Sequence, residues 1–183
     1  FFGQSVALRG LQLVVGSVGN DGRNGTQNDA GAVYLFTASS GFTDINQAGI
    51  IGADYLAAPR DFDLKLAKGE QFGAAVAFDG DRLVVGASNN AGRNNSAPGS
   101  GAAYLFTFAD TGFGNIRLID KLGAGYAGLS TLSVPGLRQG DEFGFAVSLD
   151  GNRLAVGAPG DGGAFASLIF SGAVYLFSSA DQA

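Results

Sequence analysis

The segment FGAAVAFDGDRLVVGA (residues 72–87) begins with Phe-Gly, continues as an apolar strand, turns at Asp-Gly and ends in Leu-Val-Val-Gly-Ala. Asp-Gly between two apolar runs predicts a β-hairpin, because a tight two-residue turn requires positive φ. Large and small side chains alternate through the first strand, so neither face is polar. We therefore expect both faces to be covered, with the small face allowing a neighbouring sheet to approach closely.

The same pattern occurs three times in the chain, with copies that begin at Phe2, Phe72 and Phe143. After a connection of constant length, each copy continues into Gly-Ala-(Val/Ala)-Tyr-Leu-Phe, which ends at Phe36, Phe106 and Phe177. Because every landmark recurs after 70 and then 71 residues, the chain is a repeat protein. We expect one repeat array over residues 1–183, divided into repeat 1 (1–70), repeat 2 (71–141) and a partial repeat 3 (142–183).

Further strands are predicted after each hairpin. The third strands are expected at residues 32–36, 102–106 and 173–177, fourth strands near 45–51 and 116–122, and shorter extended pieces near 62–66 and 132–134. Helical periodicity is absent, apart from a turn around residues 55–58. Four strands per repeat, punctuated by Gly and aromatic residues, indicate the blades of a β-propeller. The predicted fold is all-β, a propeller-like array of four-stranded antiparallel blades.

Composition excludes several kinds of chemistry. Of the 183 residues, 46% are hydrophobic and 15% charged, which is ample for a buried core. Cys and His are absent, so there is no disulfide, thiolate or imidazole, and a bound metal would be a hard ion held by oxygen. A net charge of −5 with scattered basic residues argues against nucleic-acid binding. The uncharged run 162–180 is interrupted by Gly and Ser, so no membrane span is expected.

The repeated elements resemble the FG-GAP repeat, which is named for its Phe-Gly and Gly-Ala-Pro elements. In this chain they are residues 2–8, 31–36, 83–87 and 157–159, and the resemblance covers essentially the whole chain. It implies the β-propeller of integrin α-subunit heads and of many bacterial secreted and surface proteins. It also implies an extracellular location, binding or adhesion, and no catalysis by the module itself.

Two features depart from the integrin branch of that family. Integrin hairpins carry a Ca²⁺ loop, whereas here the hairpins shrink to Arg9-Gly10, Asp79-Gly80-Asp81 and Asp150-Gly151-Asn152. Such short turns cannot supply the about 6 to 8 oxygen ligands that Ca²⁺ prefers, so the family's metal site is not carried over. The short hairpins look more like the bacterial branch.

The second departure is size. The chain holds about two and a half to three repeats, while closed propellers use about 4 to 8 blades. Taken alone it is predicted not to close a ring. Further blades in a longer chain and assembly between chains are the two explanations, and a first residue of Phe rather than Met suggests a processed product or an excerpt.

The first connection contains a cluster of oxygen-bearing side chains that could bind Ca²⁺, namely Asp21, Asn24, Asn28 and Asp29. Asn and Asp also serve loops by forming Asx turns, and the spacing lacks the regularity of an EF-hand. Ca²⁺ is the one cofactor considered. Asn24 and Asn94 each begin a glycosylation sequon, which matters if the source glycosylates its proteins. No pair of carboxylates stands in a recognisable pocket motif, so catalysis is not expected.

The third connection differs from the other two because it is apolar, with Phe165, Leu168, Ile169 and Phe170 where its counterparts are polar. Such a loop either folds under its own chain or covers a neighbour, since an exposed patch of this kind is unusual. We expect these side chains to form an interface. Two functions stay open: an extracellular or cell-surface binding or adhesion module with an unknown ligand, and a structural subunit of a surface filament or oligomer assembled through blade faces.

Overall fold

The computed structural model describes residues 1–126, 134, 136–163 and 171–178. Within these residues the regular structure is all-β, with a single 3₁₀ turn at Arg93–Asn95. The strands are β1 (Phe2–Arg9), β2 (Gln12–Ser17), β3 (Ala32–Ala38), β4 (Ile45–Gly52), β5 (Phe62–Asp63), β6 (Phe72–Asp79), β7 (Arg82–Ala87), β8 (Ala102–Thr107), β9 (Arg117–Gly123), β10 (Ala146–Asp150), β11 (Arg153–Ala158) and β12 (Ala173–Ser178).

The strands form three sheets, which we call blades 1, 2 and 3. Their strand orders are β1-β2-β3-β4-β5, β6-β7-β8-β9 and β10-β11-β12, with sequential strands as neighbours. The pairs are antiparallel except for β5, which pairs parallel to β4. The predicted propeller-like array is confirmed, and the extended piece predicted near residues 62–66 is the two-residue strand β5, which adds a fifth strand to blade 1.

The hairpin turns lie one residue later than the sequence suggested. Asp79 pairs with Arg82 and Asp150 with Arg153, so each Asp is the last residue of its strand. The two loop residues are the glycine and its successor, and only the glycine has positive φ, 62° at Gly80. A single positive φ at the first loop position is the pattern of a type II′ turn, which joins antiparallel strands without splaying them.

The first strand of each blade does not alternate regularly. The register with the second strand shifts between Phe72 and Ala75, next to Gly73, whose φ is 95°. In blade 3, Gly144 has a φ of 91° and β10 begins only at Ala146. Strict alternation of large and small residues would place Phe145 on the same face as Phe143, but the interruption leaves Phe145 56% exposed.

The hydrophobic core lies between the blades. One cluster joins Val14, Leu35 and Ile51 of blade 1 to Phe72 and Phe106 of blade 2. A second cluster joins blade 2 to blade 3, and it includes Val84, Leu122, Phe143, Leu154 and Val156. Each blade therefore has a front face, which is turned to the preceding blade, and a back face, which is turned to the following one.

Candidate functional site

Each junction between blades places the Phe-Gly pair of one blade against two glycines of the preceding blade. A Cβ atom on Gly16 would overlap the carbonyl oxygen of Gly73, and one on Gly31 would overlap that of Phe72. Gly31 and Phe72 form a parallel β-bridge, and the Phe72 N–H donates to the Ala30 carbonyl oxygen at 2.9 Å. The backbones meet this closely because glycine has no side chain.

The second junction repeats these contacts. Cβ atoms on Gly86 and Gly101 would overlap the carbonyl oxygens of Gly144 and Phe143. The Phe143 N–H donates to the Ser100 carbonyl oxygen at 2.9 Å, the same distance as at the first junction. The repeated Phe-Gly and Val-Gly elements of the sequence are therefore the two sides of one docking contact.

The Phe ring of each Phe-Gly pair packs on aromatic rings of its own blade. Phe72 lies edge-on to Tyr104, with ring centroids 5.1 Å apart, and Phe2 lies edge-on to Tyr34 at 5.2 Å. The geometry is nearly the same, but Phe72 is 0% exposed and Phe2 is 61% exposed. The difference arises because blade 1 covers Phe72, whereas no described residue plays that part for Phe2.

Two blade faces are open in the described structure. The open front face of blade 1 consists of Phe2, Val6 and Leu8, and the open back face of blade 3 consists of Ala155, Val174 and Leu176. Leu176 is 79% exposed, while Leu35, at the same position of blade 1, is fully buried. A groove of about 380 Å³ lies at the hairpin end of blade 3, and its lining includes Ala155 and Leu176. Large exposed apolar side chains that share a face indicate an interaction surface.

Gly157 is the counterpart of Gly16 and Gly86 on the open back face. The nearest atom to a Cβ at Gly157 would be the Ala146 Cβ of its own blade, at 3.4 Å. That distance is ordinary van der Waals contact. In the described structure the docking position at Gly157 is therefore formed but not covered by another blade.

The hairpin turns of successive blades also contact each other. Arg9 Nε lies 3.1 Å from Asp79 Oδ1, and the Gly151 N–H donates to Asp79 Oδ2 at 2.7 Å. Both carboxylate oxygens of Asp79 thus have protein partners. Asp150, at the equivalent position of blade 3, forms an ion pair with Arg153 of its own hairpin at 2.6 Å. The side chain at each turn position therefore contacts the next blade where one is present.

A hydrogen-bonded motif that sequence reasoning missed anchors the connection in every blade. Its members are Asn20, Asn90 and Asp161, which lie 70 and then 71 residues apart. In each, Oδ1 accepts the N–H of the residue two positions later, an Asx turn, at 2.9, 2.9 and 2.7 Å. The other polar atom of each side chain, Nδ2 in the two asparagines and Oδ2 in the aspartate, forms a hydrogen bond with the hydroxyl of the tyrosine in the third strand. These tyrosines are Tyr34, Tyr104 and Tyr175, in the same order. The sequence signal that could have revealed this motif is the recurrence of Asn or Asp at the same position of each repeat.

Blade 2 adds charged groups to this motif. Tyr104 donates to Glu70 Oε2 at 2.9 Å, and Lys121 Nζ lies 4.4 Å from the Tyr104 ring centroid and 4.1 Å from that of Tyr126. Burial, followed by the nearby Glu70 charge, raises the pKa of Tyr104 well above its ordinary value. Burial lowers the pKa of Lys121. In the described part of the chain every buried side-chain nitrogen and oxygen has a hydrogen-bond partner, so the motif is a satisfied structural network.

The four residues predicted to bind Ca²⁺ lie on an exposed loop of blade 1. Asp21 Oδ1 accepts the Asp29 N–H at 2.9 Å, and the carbonyl oxygens of Asn28 and Asp29 accept the N–H groups of Gly69 and Gln71. The backbone of this loop therefore helps to join blades 1 and 2. Among the described residues no group of three acidic, His or Cys side chains could hold a metal ion. Ca²⁺ binding there, which would also use the oxygens of Asn24 and Asn28, stays a prediction.

The other predicted site residues fall into two groups. Asn24 and Asn94, which begin the sequons, are both exposed, and Asn94 has a φ of 58° within the 3₁₀ turn. Glycosylation of either stays a prediction. The predicted interface residues Phe165, Leu168, Ile169 and Phe170 lie outside the described residues.

The segments that build the junctions also carry the relationship to known proteins. The FG-GAP repeat model matches residues 1–36, 66–106 and 132–177, which is more than half of the chain. The chain belongs to the FG-GAP repeat family. No curated protein sequence matches it. Within the described ranges, no helix has the length and apolar character needed to cross a membrane.

Proposed function

We propose that this chain is a non-catalytic binding module of a secreted or cell-surface protein, and that it binds protein through the open faces of blades 1 and 3. The observation that supports this function is the contrast between equivalent positions. Side chains such as Phe72 and Leu35 are buried at the internal junctions, whereas Phe2 and Leu176 are exposed at the ends. Exposed apolar side chains of this size favour a protein partner. Membership of the FG-GAP family supports the extracellular location.

The hydrogen bonds of three of the buried carboxylates, Glu70, Asp141 and Asp161, support a non-catalytic role. Glu70 accepts hydrogen bonds from Tyr104 and from the Ala67 N–H, and Asp161 accepts from Tyr175 and from the Gly163 N–H. Asp141 accepts the Arg138 N–H at 2.6 Å. Each of these groups fixes a loop or a blade contact, and function must be argued from a site rather than from the fold.

The test places a photo-reactive residue at Leu176 in the chain expressed in its source cells, with Ser40 as the matched control. Ser40 is exposed in the turn between β3 and β4, so it shares the solvent accessibility but not the apolar face. We expect irradiation to give a covalent adduct with protein from position 176 and none from position 40. Equal labelling at both positions, or no adduct at either, contradicts binding through this face.

The location is tested separately with the same cells. Protease added to intact cells should digest the chain, or the chain should be recovered from the medium. A chain that is protected until the cells are lysed contradicts the extracellular proposal.

A structural role in a filament or oligomer is the second candidate function. This role is supported by the kinds of face that are open, one front face and one back face. At both internal junctions a back face packs against a front face.

A further inference from the structure

We propose that the partner of the open back face is a second copy of this chain, which docks its blade 1 on blade 3 and so joins the two copies head to tail. This inference rests on the proposed function, because it uses the same open faces, and it adds the identity of the partner. Three observations carry it.

The first observation is that both halves of the docking contact are already formed. Gly3 has a φ of 86°, close to the 95° of Gly73 and the 91° of Gly144, so the Phe2-Gly3 pair has the backbone shape of the two pairs that dock internally. On the other side, Gly157 offers space where Gly16 and Gly86 receive a neighbouring backbone. Little rearrangement is therefore needed, and preformed partners bind with a smaller entropic cost.

The second observation is the match of apolar side chains. At the first internal junction Leu35 on the back face of blade 1 shares a core cluster with Phe72 and Val76 of the front face of blade 2. The corresponding residues at the open ends are Leu176 on blade 3 and Phe2 and Val6 on blade 1. A second copy would bury on both sides the kinds of residue that the internal junctions bury.

The third observation is the charge at the hairpin turns, which favours blade 1 as the occupant. The turn positions are Arg9, Asp79 and Asp150, so blade 1 is the one with a cation there. In the head-to-tail contact, Asp150 of one copy would meet Arg9 and the Gly10 N–H of the next. The Gly10 N–H corresponds to the Gly151 N–H that Asp79 accepts at the internal junction. Opposite charges would meet, whereas a blade of the other type would bring two carboxylates together.

The contact joins different surfaces, so it is heterologous and leaves one open face at each end of a dimer. Repetition then gives a ring if the rotation closes and a filament if it does not. Either product has a mass that rises with concentration in steps of one chain.

The experiment measures the mass of the purified 183-residue chain by sedimentation velocity over a range of concentrations. Leu176→Asp places a charge on the back face and Val6→Asp places one on the front face, while Ile119→Asp changes an exposed apolar residue of blade 2 as the control. We expect the unchanged chain and Ile119→Asp to associate, and each face variant alone to be monomeric with an unchanged circular dichroism spectrum. If a face variant loses that spectrum, Gly157→Val replaces Leu176→Asp on the back face, and Phe2→Ala replaces Val6→Asp on the front face.

The deciding step mixes the two face variants. Leu176→Asp keeps its front face and Val6→Asp keeps its back face, so the mixture should form a 1:1 dimer that grows no further. An unchanged chain that is monomeric at every concentration, or a mixture that stays monomeric, overturns the proposal. If the chain is monomeric but position 176 forms an adduct with a different protein in cells, the binding function stands and the head-to-tail contact is wrong.

Discussion

Replacing Gly86 by Ala should separate blade 3 from blade 2, and replacing Gly157 by Ala should not. Neither glycine adopts a positive φ, so the backbone accepts Ala at both positions. A Cβ at Gly86 would overlap the carbonyl oxygen of Gly144, whereas one at Gly157 would lie 3.4 Å from the Ala146 Cβ. To make room, β10 must move away from β7 and uncover Phe143 and Val156, both 0% exposed. At roughly 1.5 to 3 kcal/mol for each buried side chain, the free energy of unfolding should fall by about 3 to 6 kcal/mol.

The control variant should change the free energy of unfolding little, or raise it by about 0.4 to 1 kcal/mol through the lower entropy of the unfolded chain. Urea denaturation followed by tyrosine fluorescence measures both variants, at a concentration where the chain is monomeric. Hydrogen exchange of the Phe143 amide, which bonds the Ser100 carbonyl oxygen, reports the junction directly. Equal midpoints and equal protection for the two variants would refute the reasoning.

Three further measurements test other parts of the structure. Phe72→Ala should lower the free energy of unfolding by about 3 to 5 kcal/mol. Phe2→Ala should lower it much less, because the Phe2 ring is already 61% exposed. Similar losses for the two variants in urea denaturation would contradict the burial argument. Burial, followed by the neighbouring Tyr55, raises the pKa of Tyr34 from its ordinary value of 10.0 to about 12. Between these two pH values the folded state keeps a proton that the unfolded state releases. The contribution of Tyr34 to the free energy of unfolding is therefore complete below pH 10 and is lost as the pH rises through the folded pKa. The tyrosine absorbance at 295 nm in a pH titration should therefore rise at lower pH once urea unfolds the chain, and a titration that urea leaves unchanged contradicts this. If the exposed loop binds Ca²⁺, isothermal titration should give heat that Asp21→Asn abolishes, and an unchanged signal in that variant rules out the loop as the site.

The blades could be predicted from the sequence because their information is local and repeated. Strands were indicated by the alternation of large and small side chains over residues 72–78, and hairpins by the turn glycines. The recurrence after 70 and 71 residues indicated the repeat. The hairpin turns were misplaced by one residue, since the sequence marks the glycine but not the register of the pair. A period-two pattern places Phe145 on the wrong face, because the pattern does not show that the strand is interrupted beside Gly144 and begins only at Ala146.

The candidate site could be predicted only in part. The prediction that blade faces carry the interaction came from the incomplete ring, but the residues offered for it were those of the third connection, which the structure does not describe. The sequence predicted that both faces of a blade are covered but did not single out Phe2 or Leu176 as exposed, because a sequence pattern marks a side chain as apolar without showing whether a neighbour covers it. The division into repeats at residues 70 and 141 stays a prediction.

The sequence by itself determined the strands, the repeat and the family, because each depends on contacts within a few residues and on a period that can be counted. Only the tertiary structure decided that the Phe-Gly pair of one blade docks on Gly16 and Gly31 of the one before it, and that Phe2 and Leu176 are exposed where Phe72 and Leu35 are buried. The physical reason is that burial depends on the position of a blade in the array. Identical motifs have identical local structure but different neighbours, and the end blades expose what the middle blade buries.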